Sequence, residues 1–208
     1  MKAERSLLMV FIFMLIQLFY QDETAAMDPP FDYSAIPKEY GPHYARGLQL
    51  ENNDEFKAAL DEFTKSIKES PTQRESYSHR ARVRYCLNDY AGTISDCDKV
   101  LSLTKNNPLS TQQRFLLFSL RGRSLKELGK FKEAFPDLEK AVEYNFLPNP
   151  YLEVELGATY MKVGKFDLAL KQLLSARKAI AQGAKSSNEL DDLIKEAQLK
   201  LKAKKASR

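Results

Sequence analysis

The chain has 208 residues, of which 43% are apolar, enough for one continuous hydrophobic core but not for two large ones. Its net charge of +4 is concentrated at the C terminus, where residues 195–208 contain six basic side chains and one acidic side chain. The rest of the chain is close to neutral, which argues against a nucleic-acid-binding protein with a basic surface.

The histidines and cysteines do not have the spacing of a metal site or of a disulfide framework. Cys86 and Cys97 are eleven residues apart and form no C-x-x-C pair, and we expect their Cα atoms to be too distant for a disulfide. His43 and His79 stand outside any metal-ligand pattern. The sequence has no Gly-rich phosphate loop and no nucleophile with a neighbouring base. We therefore predict no metal, no cofactor and no enzymatic activity.

Residues 1–26 have the features of an export signal. Lys2 and Arg5 precede an apolar run over residues 7–20, which as a helix would reach roughly 21 Å at about 1.5 Å per residue. That length is short of the roughly 30 Å hydrocarbon core of a bilayer, so the run fits a signal peptide cleaved after Ala26. A retained signal-anchor and a buried N-terminal helix are the alternatives. The first two readings place the protein in the secretory pathway, extracytoplasmic or anchored to a membrane by this segment.

Residues 27–39 are predicted to form an extended linker. Pro29, Pro30 and Pro37 remove helical hydrogen bonds and favour extended conformations in the residues before them. A short recognition segment is the alternative interpretation.

An internal repeat begins near residue 40. Its registers are marked by four aromatic residues spaced 34, 41 and 35 positions apart: Phe56, Tyr90, Phe131 and Phe166. Nine residues before each aromatic stands a small residue, and seven residues after each stands an apolar one (Gly47, Ala81, Gly122, Gly157; Phe63, Cys97, Leu138, Leu173). Two helices approach closely only where one presents a small residue to a bulky side chain of the other. The pattern therefore predicts pairs of packed helices that stack on one another.

The pattern resembles the tetratricopeptide repeat family, in which Leu-Gly-x-x-Tyr, Ala, an aromatic residue, Ala and Pro recur every 34 residues. The best matches lie in residues 85–101 and 156–166, and the resemblance covers about residues 40–180. It implies an all-α fold, a right-handed solenoid of about four antiparallel helix pairs over residues 40–182. Residues 186–208 are predicted to form an amphipathic capping helix with a basic tail, whose apolar face comprises Leu190, Leu193, Ile194, Ala197 and Leu201.

Two departures from the regular repeat fall in the third helix pair. The 41-residue spacing adds seven residues, and Ser110 with Gln113 forms a capping-box pattern, so the first helix of this pair is expected to start early. Pro136 falls inside the second helix and is expected to kink or weaken it.

The resemblance also implies a concave groove, lined by the first helix of each pair, that binds another protein or peptide. The residues predicted to line it are Tyr44, Leu48, Ser78, His79, Arg82, Tyr85, Leu120, Arg123, Lys126, Val154 and Ala158. Arg82 and Arg123 occupy equivalent places and Lys126 is one turn further along, which favours a peptide with acidic side chains or a carboxylate. The alternative is that these are ordinary solvated charges.

The groove lacks the known carboxylate grip of the family. Co-chaperones of the tetratricopeptide repeat family hold the C terminus of heat-shock proteins with two Lys, two Asn and one Arg. None of the five is present here, where the corresponding positions hold Tyr44, Leu48, His79, Leu116 and Leu120.

We therefore predict a non-enzymatic interaction module, exported or tethered to a membrane. One alternative is a structural subunit of a membrane-associated assembly. Another is a holdase that binds unfolded clients through Leu48, Leu116, Leu120 and Val154. The basic tail suits either a solvated helix end or an anionic membrane surface.

Overall fold

The structure is a computed structural model that describes residues 38–104, 108–145, 149–181 and 188–206. Within these ranges a short 3-10 helix, Lys38–Tyr40, is followed by nine α-helices. Their bounds are α1 Gly41–Asn52, α2 Phe56–Glu69, α3 Arg74–Cys86, α4 Tyr90–Leu103, α5 Thr111–Glu127, α6 Phe131–Tyr144, α7 Pro150–Lys162, α8 Phe166–Ala181 and α9 Asn188–Ala206.

The first eight helices pack as four consecutive pairs, and each pair packs on the next. A three-residue turn joins the two helices of every pair. Helix α9 packs on α8 at the end of the stack. This architecture confirms the predicted all-α solenoid with a C-terminal capping helix.

Direct contacts between the helices of a pair explain the spacing of small and bulky residues. A Cβ atom at Gly47 would lie 2.7 Å from the ring of Phe63, and one at Gly157 would lie 2.8 Å from Leu173. Gly122 meets its partner in α6 in the same way. Only a residue without a side chain allows the helices to approach this closely.

The turn before each aromatic residue has one residue in the left-handed backbone region. In each of these four turns the residue with positive φ stands two places before the aromatic: Asp54, Asn88, Gly129 and Gly164. Gly, Asn and Asp adopt this conformation at the lowest cost among the natural residues. The turn composition therefore fixes where each second helix begins.

The third pair begins with the predicted capping box. The Ser110 hydroxyl accepts a hydrogen bond from the backbone N–H of Gln113 at 3.2 Å, and the Gln113 side chain accepts one from the backbone N–H of Ser110 at 3.0 Å. Helix α5 has 17 residues, whereas α1, α3 and α7 have 12 or 13. Helix α5 is thus about one turn longer than the corresponding helices, which confirms its predicted early start.

Helix α6 runs through Pro136 without a break, from Phe131 to Tyr144. A proline at this place removes one hydrogen bond, from its own nitrogen to the carbonyl of Lys132. Since Lys132 is exposed, water can satisfy that carbonyl. The helix is therefore continuous across Pro136, and its expected weakening stays a prediction.

Replacing Pro136 with alanine is expected to raise the free energy of unfolding by about 1 to 3 kcal/mol, because the missing helical hydrogen bond is restored. Urea unfolding measures the change. Pro150→Ala is the matched control, since Pro150 is the first residue of α7, where proline is tolerated. Equal stability of Pro136→Ala and wild type would contradict the expectation.

Helix α9 covers the end of the core with one apolar face. Leu190, Ile194 and Ala197 are buried together with Leu173 of α8. Leu193 packs at the margin of the same cluster. A repeat stack needs such an end because its last pair would otherwise expose its apolar face.

The predicted export signal, residues 1–26, and the predicted linker up to residue 37 lie outside the described residues. Among the helices that the structure describes, none is both long enough and apolar enough to cross a membrane. Export and anchoring remain predictions.

Candidate functional site

The first helix of each pair lies on one side of the stack. Helix α1 contacts α3, α3 contacts α5, and a side-chain ion pair joins α5 to α7. All eleven residues predicted to line a groove belong to these four helices. We call this surface the first-helix face.

One cluster on the first-helix face is built around a buried carboxylate. The side chain of Glu51, in the last turn of α1, is 3% exposed. His79 Nδ1 donates a hydrogen bond to one of its oxygens at 2.7 Å, and Arg82 Nε donates to the other at 2.5 Å. The rings of Tyr44 and Phe63 lie 5.6 Å and 5.5 Å from the His79 ring. We call this the Glu51 cluster, and it connects the first pair to the second.

A second cluster connects the third pair to the fourth. Glu155 of α7 accepts a hydrogen bond from Arg123 Nε at 2.8 Å, and its other carboxylate oxygen accepts one from Lys126 Nζ. The Glu155 side chain is largely buried. In this Glu155 cluster, as in the Glu51 cluster, one acidic side chain holds two basic or imidazole groups from a neighbouring pair.

Both carboxylates are stabilised in the ionised form. Burial by itself raises the pKa of Glu51, but the hydrogen bonds and charges of His79 and Arg82 outweigh it, so this pKa lies below its ordinary value. Burial likewise opposes ionisation of Glu155, and Arg123 with Lys126 lowers its pKa below the ordinary value. Neither cluster is a set of independent solvated charges.

The Glu51 cluster is expected to make stability depend on acidity. A carboxylate whose pKa is lowered in the folded state contributes to the free energy of unfolding. That contribution is fully present above the ordinary glutamate pKa of 4.5. That stability is lost as the pH falls through the folded pKa. The free energy of unfolding, measured in urea from neutral to acidic pH, should therefore fall less steeply in Glu51→Gln than in wild type. The exposed Glu196 supplies the control Glu196→Gln, and a wild-type slope in Glu51→Gln would disprove the coupling.

Tyr85 lies between the two clusters. Its ring meets that of Tyr90 edge-on at 5.7 Å, and it packs against the buried cluster that contains Leu120. Burial raises the pKa of the Tyr85 phenol, and the positive charge of Arg123 opposes that shift. Tyr85 is therefore a neutral, half-buried ring on the first-helix face.

Three of the predicted groove residues are core residues. Tyr44, Leu48 and Leu120 are 7%, 8% and 8% exposed. They position the helices of the face but offer little surface to a partner. The other residues named for a holdase are Leu116, which is exposed, and Val154, which packs against the α9 cluster.

The remaining predicted positions are half-buried. The Ser78 hydroxyl donates a hydrogen bond to the carbonyl of Arg74 at 3.1 Å within α3. Ala158 lies on α7. The structure thus brings His79 and Arg82 together on Glu51, and Arg123 and Lys126 together on Glu155.

Sequence reasoning missed a second set of charges inside the helix pairs. Arg80 and Asp96 form a two-point ion pair at 2.7 Å and 2.9 Å, and Arg121 and Asp137 form one at 2.7 Å and 2.8 Å. Asp96 is 2% exposed and also binds Arg84 at 2.9 Å. These residues adjoin the small and apolar registers, so the close packing of the pair encloses them.

The sequence contains a pattern that could have predicted these two ion pairs. Each arginine stands ten residues before the turn aromatic, and each aspartate stands six residues after it, in the second and third repeats alike. The fourth repeat has Leu156 and Gln172 at these places, so the charge pair is not general to the stack.

Comparison with known proteins agrees with this geometry. A family model described as Tetratricopeptide repeat matches residues 117–146, the core of the third pair. The chain is 27% identical over 120 residues to Tetratricopeptide repeat protein 36 of Danio rerio, a match that covers 58% of the chain and 60% of that protein. These matches, together with the stacked helix pairs, support assignment of the chain to the tetratricopeptide repeat family.

Other tetratricopeptide repeat relatives match a similar part of the chain. It is 26% identical over 121 residues to Photosystem I assembly protein Ycf3 of Prochlorococcus marinus, over 54% of the chain and 70% of that protein. A solved structure of MamA from Desulfovibrio magneticus RS-1 has the same fold, with a TM-score of 0.62 and 16% identity over 81% of this chain and 94% of that one. At this identity the likeness concerns the fold alone.

Proposed function

We propose that this tetratricopeptide repeat protein recruits a partner polypeptide through its first-helix face, without catalysing a reaction. The observation that carries the proposal is the arrangement of Arg82, Arg123 and Lys126, whose side chains remain 42%, 30% and 27% exposed while Glu51 and Glu155 hold them from beneath. Side chains fixed in this way lose less conformational entropy when a partner binds.

The chemistry of the face favours an extended or helical peptide with an acidic side chain. Arginine and lysine side chains form short, charge-assisted hydrogen bonds with carboxylates, and arginine can bind a carboxylate through two parallel N–H groups. The Glu155 cluster carries two cations against one buried carboxylate, and the exposed Glu127 lies 3.3 Å from Lys126. A partner carboxylate would replace Glu127 beside Lys126, and Tyr85 would supply an apolar contact between the two clusters.

Photo-crosslinking can locate the partner directly. We expect a photoreactive amino acid at Tyr85 to crosslink the partner in cells. The same group at Lys57 or Lys132, exposed in the first turns of α2 and α6, should crosslink far less. Equal crosslinking from both sides, or crosslinking from the second helices only, would overturn the proposal.

The double variant Arg82→Gln plus Arg123→Gln is expected to weaken binding of the crosslinked partner by about tenfold or more. Glutamine keeps a hydrogen-bond donor for each buried glutamate, which protects the fold while the charges are removed. Lys57→Gln plus Lys132→Gln removes two charges elsewhere and is the matched control. Titration calorimetry measures affinity, and circular dichroism verifies that all variants are folded. Wild-type affinity in the arginine variant would exclude these clusters as the binding site.

We also propose that residues 1–26 direct the protein into the secretory pathway, with cleavage after Ala26 or retention as an anchor. The apolar run after Lys2 and Arg5 supports this. We expect the intact mass of the protein purified from its own cells to show that residues 1–26 have been removed. If they are retained, the protein should be found in the membrane fraction. A full-length protein in the soluble fraction would contradict both forms.

An assembly factor is the second candidate function. The similarity to a photosystem I assembly protein supports it. Crosslinks from Lys57 and Lys132 to a membrane complex would favour this role over groove recognition. A holdase is less well supported, because Leu48 and Leu120 are buried. To support a holdase function, the protein would have to suppress the aggregation of unrelated unfolded proteins.

A further inference from the structure

An open depression lies between α8 and α9, away from the clusters of the first-helix face. It has a volume of about 530 Å³ and an apolar part formed by Leu170, Leu199 and Leu201. Lysine side chains from α9 and one amide complete its walls (Lys195, Lys202, Lys205, Gln198). The volume suffices for one or two large side chains of another molecule.

Leu199 is the unusual residue of this cavity. It is 68% exposed, although leucine is among the residues most often buried. The core face of α9 is already occupied by Leu190, Ile194 and Ala197, which are buried against α8. Leu199 therefore has no role in holding α9 to the stack, and its apolar surface is available to a partner.

The rim of the cavity is positively charged. Lys195 lies 3.3 Å from Asp192, but both side chains are more than 70% exposed, so the pair is weak and easily exchanged. Among the residues that the structure describes, neither Lys202 nor Lys205 forms an ion pair. Three cations thus surround an apolar depression.

We propose that the cavity between α8 and α9 is a second docking site, for an acidic segment of a partner protein that inserts a leucine or phenylalanine side chain. The inserted side chain covers Leu170 and Leu199. Flanking carboxylates bind Lys195, Lys202 and Lys205. The charge complementarity favours an acidic partner, and the apolar surface of Leu170 and Leu199 favours an apolar anchoring residue.

The same lysines would suit an anionic membrane less well. A helix that lies in a bilayer surface needs a continuous apolar stripe to bury among the lipids. In α9 that stripe, formed by Leu190, Ile194 and Ala197, is packed on α8. Leu199 alone leaves too little apolar area for membrane insertion, whereas one leucine at the edge of a cavity suits a peptide.

The test is a selection from a phage-displayed library of random peptides against the full-length protein. Clones that bind wild type but fail to bind Leu199→Gln are recovered. Glutamine keeps helix propensity and removes the apolar surface. We expect peptides with Leu or Phe between Asp or Glu residues. Their affinity, measured by fluorescence anisotropy, should fall about tenfold or more in Leu199→Gln and in Lys202→Glu plus Lys205→Glu.

Two controls separate this site from the first-helix face. The selected peptides should bind Arg82→Gln plus Arg123→Gln as they bind wild type, and they should bind Lys57→Glu plus Lys132→Glu equally well. The proposal is overturned if no clone depends on Leu199, or if the dependent clones carry no acidic residues. It is also overturned if the α9 lysine variant loses binding to phosphatidylglycerol vesicles while no peptide depends on it.

Discussion

Arg121→Ala is expected to lower the free energy of unfolding by about 3 to 5 kcal/mol, although arginine is a polar residue at the edge of a helix pair. Asp137 is 4% exposed and receives two hydrogen bonds from Arg121, at 2.7 Å and 2.8 Å. Removal of the guanidinium would leave a carboxylate buried without its main partner, and the desolvation cost would then be uncompensated.

The double variant Arg121→Ala plus Asp137→Ala should regain part of the stability lost in Arg121→Ala, because no buried charge remains. Arg177→Ala is the matched control, since Arg177 is half-exposed and lies 3.7 Å from an equally exposed Asp191. That control should change stability by about 1 kcal/mol or less. Urea unfolding of wild type and these three variants measures the changes. If Arg121→Ala lowered the free energy of unfolding no more than Arg177→Ala does, the buried ion pair would not stabilise the fold.

Phe63→Ala is expected to cost about 3 to 5 kcal/mol. Phe63 is fully buried, its ring fills the space opposite Gly47, and it stacks on His79 at 5.5 Å. The truncation leaves a cavity in the first pair and removes the support of His79 in the Glu51 cluster. The substitution should therefore also destabilise the part of the first-helix face that the Glu51 cluster forms.

Thermal and urea unfolding measure the loss of stability in Phe63→Ala. Exchange of the Glu51-cluster amides with solvent, followed by NMR, reports the local effect. Tyr151→Ala is the control, because Tyr151 is 63% exposed, and it should change stability by about 0.5 kcal/mol or less. A small loss in Phe63→Ala would mean that the first pair is not closely packed.

Phe63→Ala and Arg121→Ala are expected to lower stability by disrupting two different kinds of helix contact. Phe63 and Gly47 hold two helices of a pair together by shape, whereas Arg121 and Asp137 do so by charge. The clusters around Glu51 and Glu155 then connect one pair to the next. The proposed binding at the first-helix face would depend on all three, since the cations of that face are positioned by carboxylates from neighbouring pairs.

The amino-acid sequence alone determined the fold and most of its detail. The contacts of Gly47 with Phe63 and of Gly157 with Leu173 follow from spacings that repeat along the chain, because close helix packing requires a small residue opposite a large one. The early start of α5 was readable from Ser110 and Gln113, since a capping box is a local interaction. Such features depend on residues within one repeat.

The electrostatics of the candidate site was decided only by the tertiary structure. Arg82 and Arg123 were recognised as equivalent cations, but their glutamate partners stand 31 and 32 residues away in neighbouring pairs. The burial of Asp96 and the exposure of Leu199 likewise depend on which helices pack together. A repeat pattern specifies which residues face the core of each pair. The distance between charges on successive pairs is set by how the pairs stack, and that stacking determines whether a charge is solvated, paired or available to a partner.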